Sequence, residues 1–194
     1  MLKSDRPLGA AALSFALCMA LSAGAGPAQA ESAAAALTPE LETARAALDK
    51  YRDPLVAVRD GYFSTVGCVH YAEGGMGVHF LNPALLGPEV DPMKPQILVY
   101  EPEGDKLTLV AAEWFVPLAT GVEARPELFG QPFDGPMEGH EPLIPGEVHH
   151  YDLHVWLWKE NPAGVFNVVN PGVSCDDETG YNLLEKPPEG VPHR

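Results

Sequence analysis

Five runs from Phe63 onward do most to limit how this chain can fold: FSTVGCVHY, GMGVHFLN, QILVYE, KLTLVAAEWFVP and VHHYDLHVWLWKE. They are rich in valine, leucine, aromatic residues and threonine, and glycine, proline, asparagine or aspartate bounds them, as befits strands on a pleated, half-buried surface. Between the third and fourth, PEGD supplies Gly104 and Asp105 for a tight hairpin turn. Ahead of the runs, TPELETARAALDKY carries helix signals: Thr38 to cap, Pro39 at the first helical position, and Glu40 and Glu42 in the first turn. Leu41, Ala44, Ala47 and Leu48 recur at helical spacing, which predicts a helix over about 39–52. DPLVAVRDG repeats the start signal at Asp53 and Pro54 and offers a stop at Gly61, predicting a second, short helix. The expected fold is α+β: N-terminal helices packed on a curved, mostly antiparallel β-sheet or partial barrel, in a cystatin-like or ferredoxin-like arrangement. Residues 82–95 and 118–146 form two long connections, a length that compact domains use for lids and binding loops.

The first thirty residues read as a signal peptide rather than as part of the fold. Lys3 and Arg6 make a short basic start, Ala10 to Ala25 is apolar or small, and Ala28-Gln29-Ala30 has the small-x-small pattern of a cleavage site. Cleavage there leaves a flexible segment at 31–37, a single α+β domain over 38–185 and an extended tail over 186–194. No later segment is long and apolar enough to span a bilayer. The expected location is exported, periplasmic or extracellular. Lys3, Arg6 and Asp5 leave with the leader, so the 12 basic and 27 acidic residues become 10 and 26, a formal charge of −16. Such a field disfavours nucleic acid and anionic membrane surfaces as partners. Of the three cysteines, Cys68 and Cys175 survive cleavage, and an even pair in an exported chain predicts a disulfide.

Alternation along the strands decides which polar side chains can meet. In KLTLVAAEWFVP both faces are largely apolar, yet Glu113 shares one with Leu107, Leu109, Ala111 and Phe115. A carboxylate aimed at a core or cavity must be protonated, hydrogen-bonded, paired or metal-bound. In HHYDLHVWLW, His150, Asp152, His154, Trp156 and Trp158 fall on one face, like the wall of a cleft. In GMGVHFLN, His79 lies beside Gly77, which would leave room for a ligand, and Glu101 and His140 can approach the same end of the sheet. The candidate site is therefore His79, Glu113 and His154, with His140, His150 or Asp152 adding to it. Imidazole and carboxylate donors of this kind suit zinc, iron, manganese or copper. On a strand, His150 and His154 stand ~13 Å apart, too far to share one small ion.

Two other uses of the same residues stay open: a buried histidine–carboxylate pair with no ligand, and a metal-free acid/base site. The tryptophans fit packing better than ligand stacking. No glycine-rich phosphate loop or nucleophile elbow is present in the sequence, so nucleotide binding and serine hydrolysis have no support.

The segments GGMGVHFLNPALL, DPMKPQILVYEP, LVAAEWFVP, ELFGQPFDGPMEGHEP and YDLHVWLWKENPAGVFNVVNPGVSC together resemble an uncharacterised family of bacterial proteins, many of them exported. The resemblance implies one domain over roughly residues 40–175 and brings no activity with it. Small-ligand or metal-ion binding is the leading functional expectation. A metal-dependent or acid/base hydrolase or lyase using the same centre is the second, and a structural or partner-binding envelope protein the third.

Overall fold

In the computed structural model, residues 36–141 and 144–176 and a strand at 182–184 are described. The expected leader and C-terminal tail lie outside them. Both N-terminal helices form where local chemistry places them. Helix α1 (Pro39–Leu48) starts at Thr38, whose Oγ1 accepts from Leu41 N, and it runs on into a 3₁₀ turn at Asp49–Arg52. Helix α2 (Pro54–Arg59) is capped by Asp53 accepting from Leu55 N.

The sheet strands are β1 (Phe63–Tyr71), β2 (Gly74–Leu81), β3 (Ile97–Glu103), β4 (Lys106–Pro117), β7 (Asp134–Met137), β8 (His150–Val155) and β9 (Asn182–Leu184), with a separate short hairpin of β5 (Glu127–Leu128) and β6 (Gln131–Pro132). The seven-stranded sheet has the order β7-β8-β4-β3-β2-β1-β9 and is open, not a closed barrel. Every pairing in it is antiparallel except β1 with β9. All five expected strands are present. The 118–146 connection also contributes β7, an edge strand of sequence DGPM that its glycine and proline concealed. Both helices precede the first strand, so the ferredoxin-like alternative, which needs helices between strands, does not hold.

One sheet face packs on the helices. Leu41, Leu48, Tyr51 and Ala57 meet Leu98, Tyr100, Trp114 and Val155 there, and Tyr100 Oη donates to Tyr51 O at 2.7 Å. The opposite face carries a second apolar cluster of Ile97, Val99, Ala111, Phe115, Trp156 and Val173. Two connections cover it. The first includes residues 138–141 and 144–149; the second, 160–175, is shaped by Asn161, Asn167 and Asn170, each of whose Oδ1 accepts from the backbone two residues on. Asn170 also pairs its backbone with Gly75 in both directions. The expected disulfide joins Cys68 on β1 to Cys175 at the end of the second connection, with Cα atoms 5.5 Å apart. β4 is thus covered on both sides, which is why KLTLVAAEWFVP is apolar on both faces. Its glutamate is the exception.

Candidate functional site

Register places the polar residues. Glu113 on β4 stands opposite His154 on β8, Phe115 opposite Asp152, and Pro117 opposite His150. On the other side, Ile97 separates Glu113 from Leu81, and His79 lies two residues along β2. Two strand spacings amount to ~10 Å, a gap that an extended glutamate and an imidazole close from opposite sides. His79 Nε2 lies 3.5 Å and His154 Nε2 lies 3.3 Å from Glu113 Oε2.

These three side chains line a cavity of about 220 Å³ beneath the 138–149 connection. Leu81, Leu86, Ile97, Phe115, Ile144 and Val148 form its apolar wall. His140, His150 and Asp152 line its other end. The covering loop is tied at its neck, where Gly139 N donates to Gly146 O at 3.2 Å, and Ile144 N donates to His140 O within it. A side chain at Gly139 would bring Cβ 1.9 Å from Pro145 O, so the neck admits only glycine.

The polar residues fall into two trios whose donor atoms lie within 4.8 Å of one another: His79, Glu113 and His154, and separately His140, His150 and Asp152. All six are buried, from His150 at 0 % to His140 at 7 % exposure. The expectation that His150 and His154 are too far apart to share an ion agrees with this division. His140, expected beside the first trio, sits instead with His150 and Asp152.

Three other sequence readings are corrected. The space beside Gly77 is filled by the neighbouring strand, since a Cβ there would stand 2.5 Å from Tyr100 O, so it holds no ligand. Glu101 is away from the cavity, ion-paired with Lys159 and accepting from Ser174 N. Trp158 lies past the end of β8 and packs with the helix-side cluster, its Nε1 donating to Asp49, while Trp156 is buried in the cavity-side cluster. Sequence reasoning did not anticipate Thr65 and Met76 in the cavity lining. Strict alternation puts Met76 on the face opposite His79, but the register shift at Val69/His70, where Val69 pairs with Gly77 and His70 with Gly75, interrupts that pattern beside it.

The electrostatics repeat from one trio to the other. Burial alone raises the Glu113 carboxyl, but the facing imidazoles of His154 and His79 outweigh it and hold it below its ordinary value. Burial pulls His154 down, yet the Glu113 carboxylate overcomes this and lifts it to about 9. His79 is dominated by burial and is lowered. In the second trio, Asp152 is lowered and His150 raised, in each case because their mutual contact outweighs burial. Burial lowers His140 to about 4. Each trio thus pairs a lowered carboxyl with one histidine raised by it and one histidine lowered by burial.

The geometry is not that of relaxed ion pairs. A charge-assisted N–H···O bond closes to ~2.7–2.9 Å. Here the separations are 3.3, 3.5 and, for His150 Nε2 to Asp152 Oδ2, 3.6 Å. Buried atoms without a hydrogen-bond partner include both ring nitrogens of His79 and of His154, Glu113 Oε2, His150 Nε2 and Asp152 Oδ1. Each such atom costs ~1–3 kcal/mol if nothing satisfies it. Ligand atoms around a four-coordinate ion with bonds of ~2.0–2.2 Å stand ~3.3–3.6 Å apart, the range spanned by these three contacts. The buried His/Glu and His/Asp groups therefore can hold a metal ion.

No protein-family model, curated protein or solved structure matches this chain.

Proposed function

We propose that this protein binds a divalent transition-metal ion through His79, Glu113 and His154, and that the adjoining cavity receives a small, largely apolar ligand. The observation that carries the reading is the pair of contacts to Glu113 Oε2, at 3.5 and 3.3 Å and without hydrogen-bond alignment. Two imidazoles and one carboxylate make a donor set for zinc, iron, manganese or copper. The rings of His79 and His154 are 6.2 Å apart, wider than the ~5 Å that two imidazoles adopt on a tetrahedral ion, which favours a more open coordination with positions left for cavity ligands. A cavity of about 220 Å³ suits a molecule somewhat larger than benzene, which fits an apolar cavity of ~150 Å³. An ion with open positions beside such a cavity also supports a second reading, a metal-dependent hydrolase or lyase restricted to small substrates.

Export supports the same reading. The leader-like first thirty residues and the Cys68–Cys175 disulfide both fit a periplasmic or extracellular protein that meets metal ions outside the cytosol.

The test is metal content by mass spectrometry on mature protein exported to a periplasm and purified without a His-tag or chelator, with Glu113→Ala in parallel. Near-stoichiometric metal, lost in the variant, is the expected result. Metal-free protein whose variant is merely less stable would make Glu113 one half of a buried pair and end the metal reading.

A further inference from the structure

The trio at the far end of the cavity has chemistry of its own. We propose that His140, His150 and Asp152 form a second site for a divalent first-row transition-metal ion, separate from the one at His79, Glu113 and His154. The two trios share no side chain, so the second site does not need the first to be filled.

Each histidine of the second trio is oriented by a group that can only accept. His150 Nδ1 lies 3.0 Å from Val148 O, and His140 Nε2 lies 3.1 Å from Met137 Sδ. A carbonyl and a thioether have no proton to give, so the ring nitrogen donates in both contacts. That leaves His150 Nε2, once it gives up the proton Asp152 favours, and His140 Nδ1 as the nitrogens each ring can turn to an ion. Metal-binding histidines are held in this way, with one nitrogen anchored by an acceptor and the other presented to the ion. His150 Nε2 and Asp152 Oδ1 are buried without a hydrogen-bond partner. His150 Nε2 stands 3.6 Å from Asp152 Oδ2, a ligand-to-ligand edge rather than a hydrogen bond.

Ring positions agree. Two imidazoles on one tetrahedral ion, with bonds of ~2.05 Å, place their centroids roughly 5 Å apart. The centroids of His140 and His150 are 5.3 Å apart. One face of β8 therefore serves both ions: His154 belongs to the first, and His150 and Asp152 to the second. The backbone positions of the two histidines are ~13 Å apart along the strand, so a single ion cannot collect both. His140 comes from the covering connection and the other two ligands from the strand, so the second ion would tie that connection to the sheet.

The test is titration of chelator-stripped mature protein with Co²⁺, followed by calorimetry and visible absorption, and repeated with Zn²⁺ by calorimetry. Two equivalents are expected, falling to one in His140→Ala, one in Asp152→Asn and one in Glu113→Gln. The near-tetrahedral second site should give the stronger visible Co²⁺ bands, and these should vanish in His140→Ala and persist in Glu113→Gln. A single equivalent in the parent that His140→Ala retains, or that is lost alike in His140→Ala and Glu113→Gln, would overturn the proposal, as would two equivalents unchanged in His140→Ala. If Glu113→Gln keeps both equivalents while His140→Ala loses one, the second site stands and the first-site reading fails. His140 lies in a connection rather than in the sheet, so His140→Ala remains decisive should Asp152→Asn not fold.

Discussion

Replacing Glu113 by glutamine in the metal-free protein should remove most of the alkaline loss of stability. His154 is raised from 6.5 to about 9 by the facing carboxylate. That difference corresponds to ~3 kcal/mol of preferential stabilisation of the protonated form in the folded state. A histidine whose folded value is raised contributes its full stability below 6.5 and loses it as pH climbs through about 9. His140 works in the opposite sense, because its folded value of about 4 makes stability fall as pH drops from 6.5 towards 4, again by ~3 kcal/mol. Stability without metal should therefore peak near pH 6.5. Glutamine keeps the shape of Glu113 and removes the charge that raises His154, so the variant should be less stable at the peak and should fall less steeply above it. The assay is urea denaturation in excess EDTA at pH 6.5 and at 9.5, with the disulfide intact. The parent should lose ~3 kcal/mol more than Glu113→Gln over that interval. Equal losses in the two proteins would refute the coupling of Glu113 to His154.

Other outcomes follow from the same structure. Metal binding must displace the proton on His154, so apparent affinity for Zn²⁺ should rise about tenfold per pH unit up to pH ~9; calorimetry in buffers of different ionisation enthalpy would show the released proton, and a flat pH profile would contradict it. Gly139→Ala places a Cβ 1.9 Å from the Pro145 carbonyl oxygen and should destabilise by ~1–3 kcal/mol, read from the thermal midpoint; a neutral substitution would show that the neck of the covering loop is not held as described. Reducing Cys68–Cys175, which closes a loop of 106 intervening residues, should cost ~4–5 kcal/mol in urea denaturation, and a negligible change would mean that the two ends are held by packing alone. Leu98→Ala, at a fully buried position in the helix-side core, should cost ~2–5 kcal/mol in the same measurement without changing metal stoichiometry.

The division of labour between local and long-range information is visible residue by residue. The caps at Thr38 and Asp53, the prolines after them, the hairpin at Gly104 and the presence of the five main strands depend on interactions within a few residues, and a sequence displays those directly, although VHHYDLHVWLWKE leaves the sheet already at Val155. Alternation carried the reading one step further. It aimed Glu113 at an otherwise apolar face, put His150, Asp152 and His154 on one face, and kept His150 and His154 too far apart for one ion; of the four residues expected beside Glu113, Ala111 and Phe115 share its side, while a register shift at Val99/Tyr100 leaves Leu107 and Leu109 in the helix-side core. DGPM lacks any local strand signature and is a strand because β8 offers it an edge.

What alternation cannot supply is which strands adjoin and in what register. Glu113 meets His154 because β4 pairs with β8 across a connection of more than thirty residues, and it meets His79 because β3 is narrow enough to reach across. A shift of one residue in either pairing would have turned those side chains apart. The space that seemed open beside Gly77 was taken by Tyr100, a residue twenty-three positions later, and Glu101 was drawn off by Lys159. His140 shows the limit most plainly, since nothing near it in sequence says that its loop folds back over β8 to stand 5.3 Å from His150. The sequence alone determined the chemistry available to this protein and the faces that carry it. Only the tertiary structure sorted six buried polar residues into two groups of three, because that sorting depends on contacts between strands and loops that no local preference encodes.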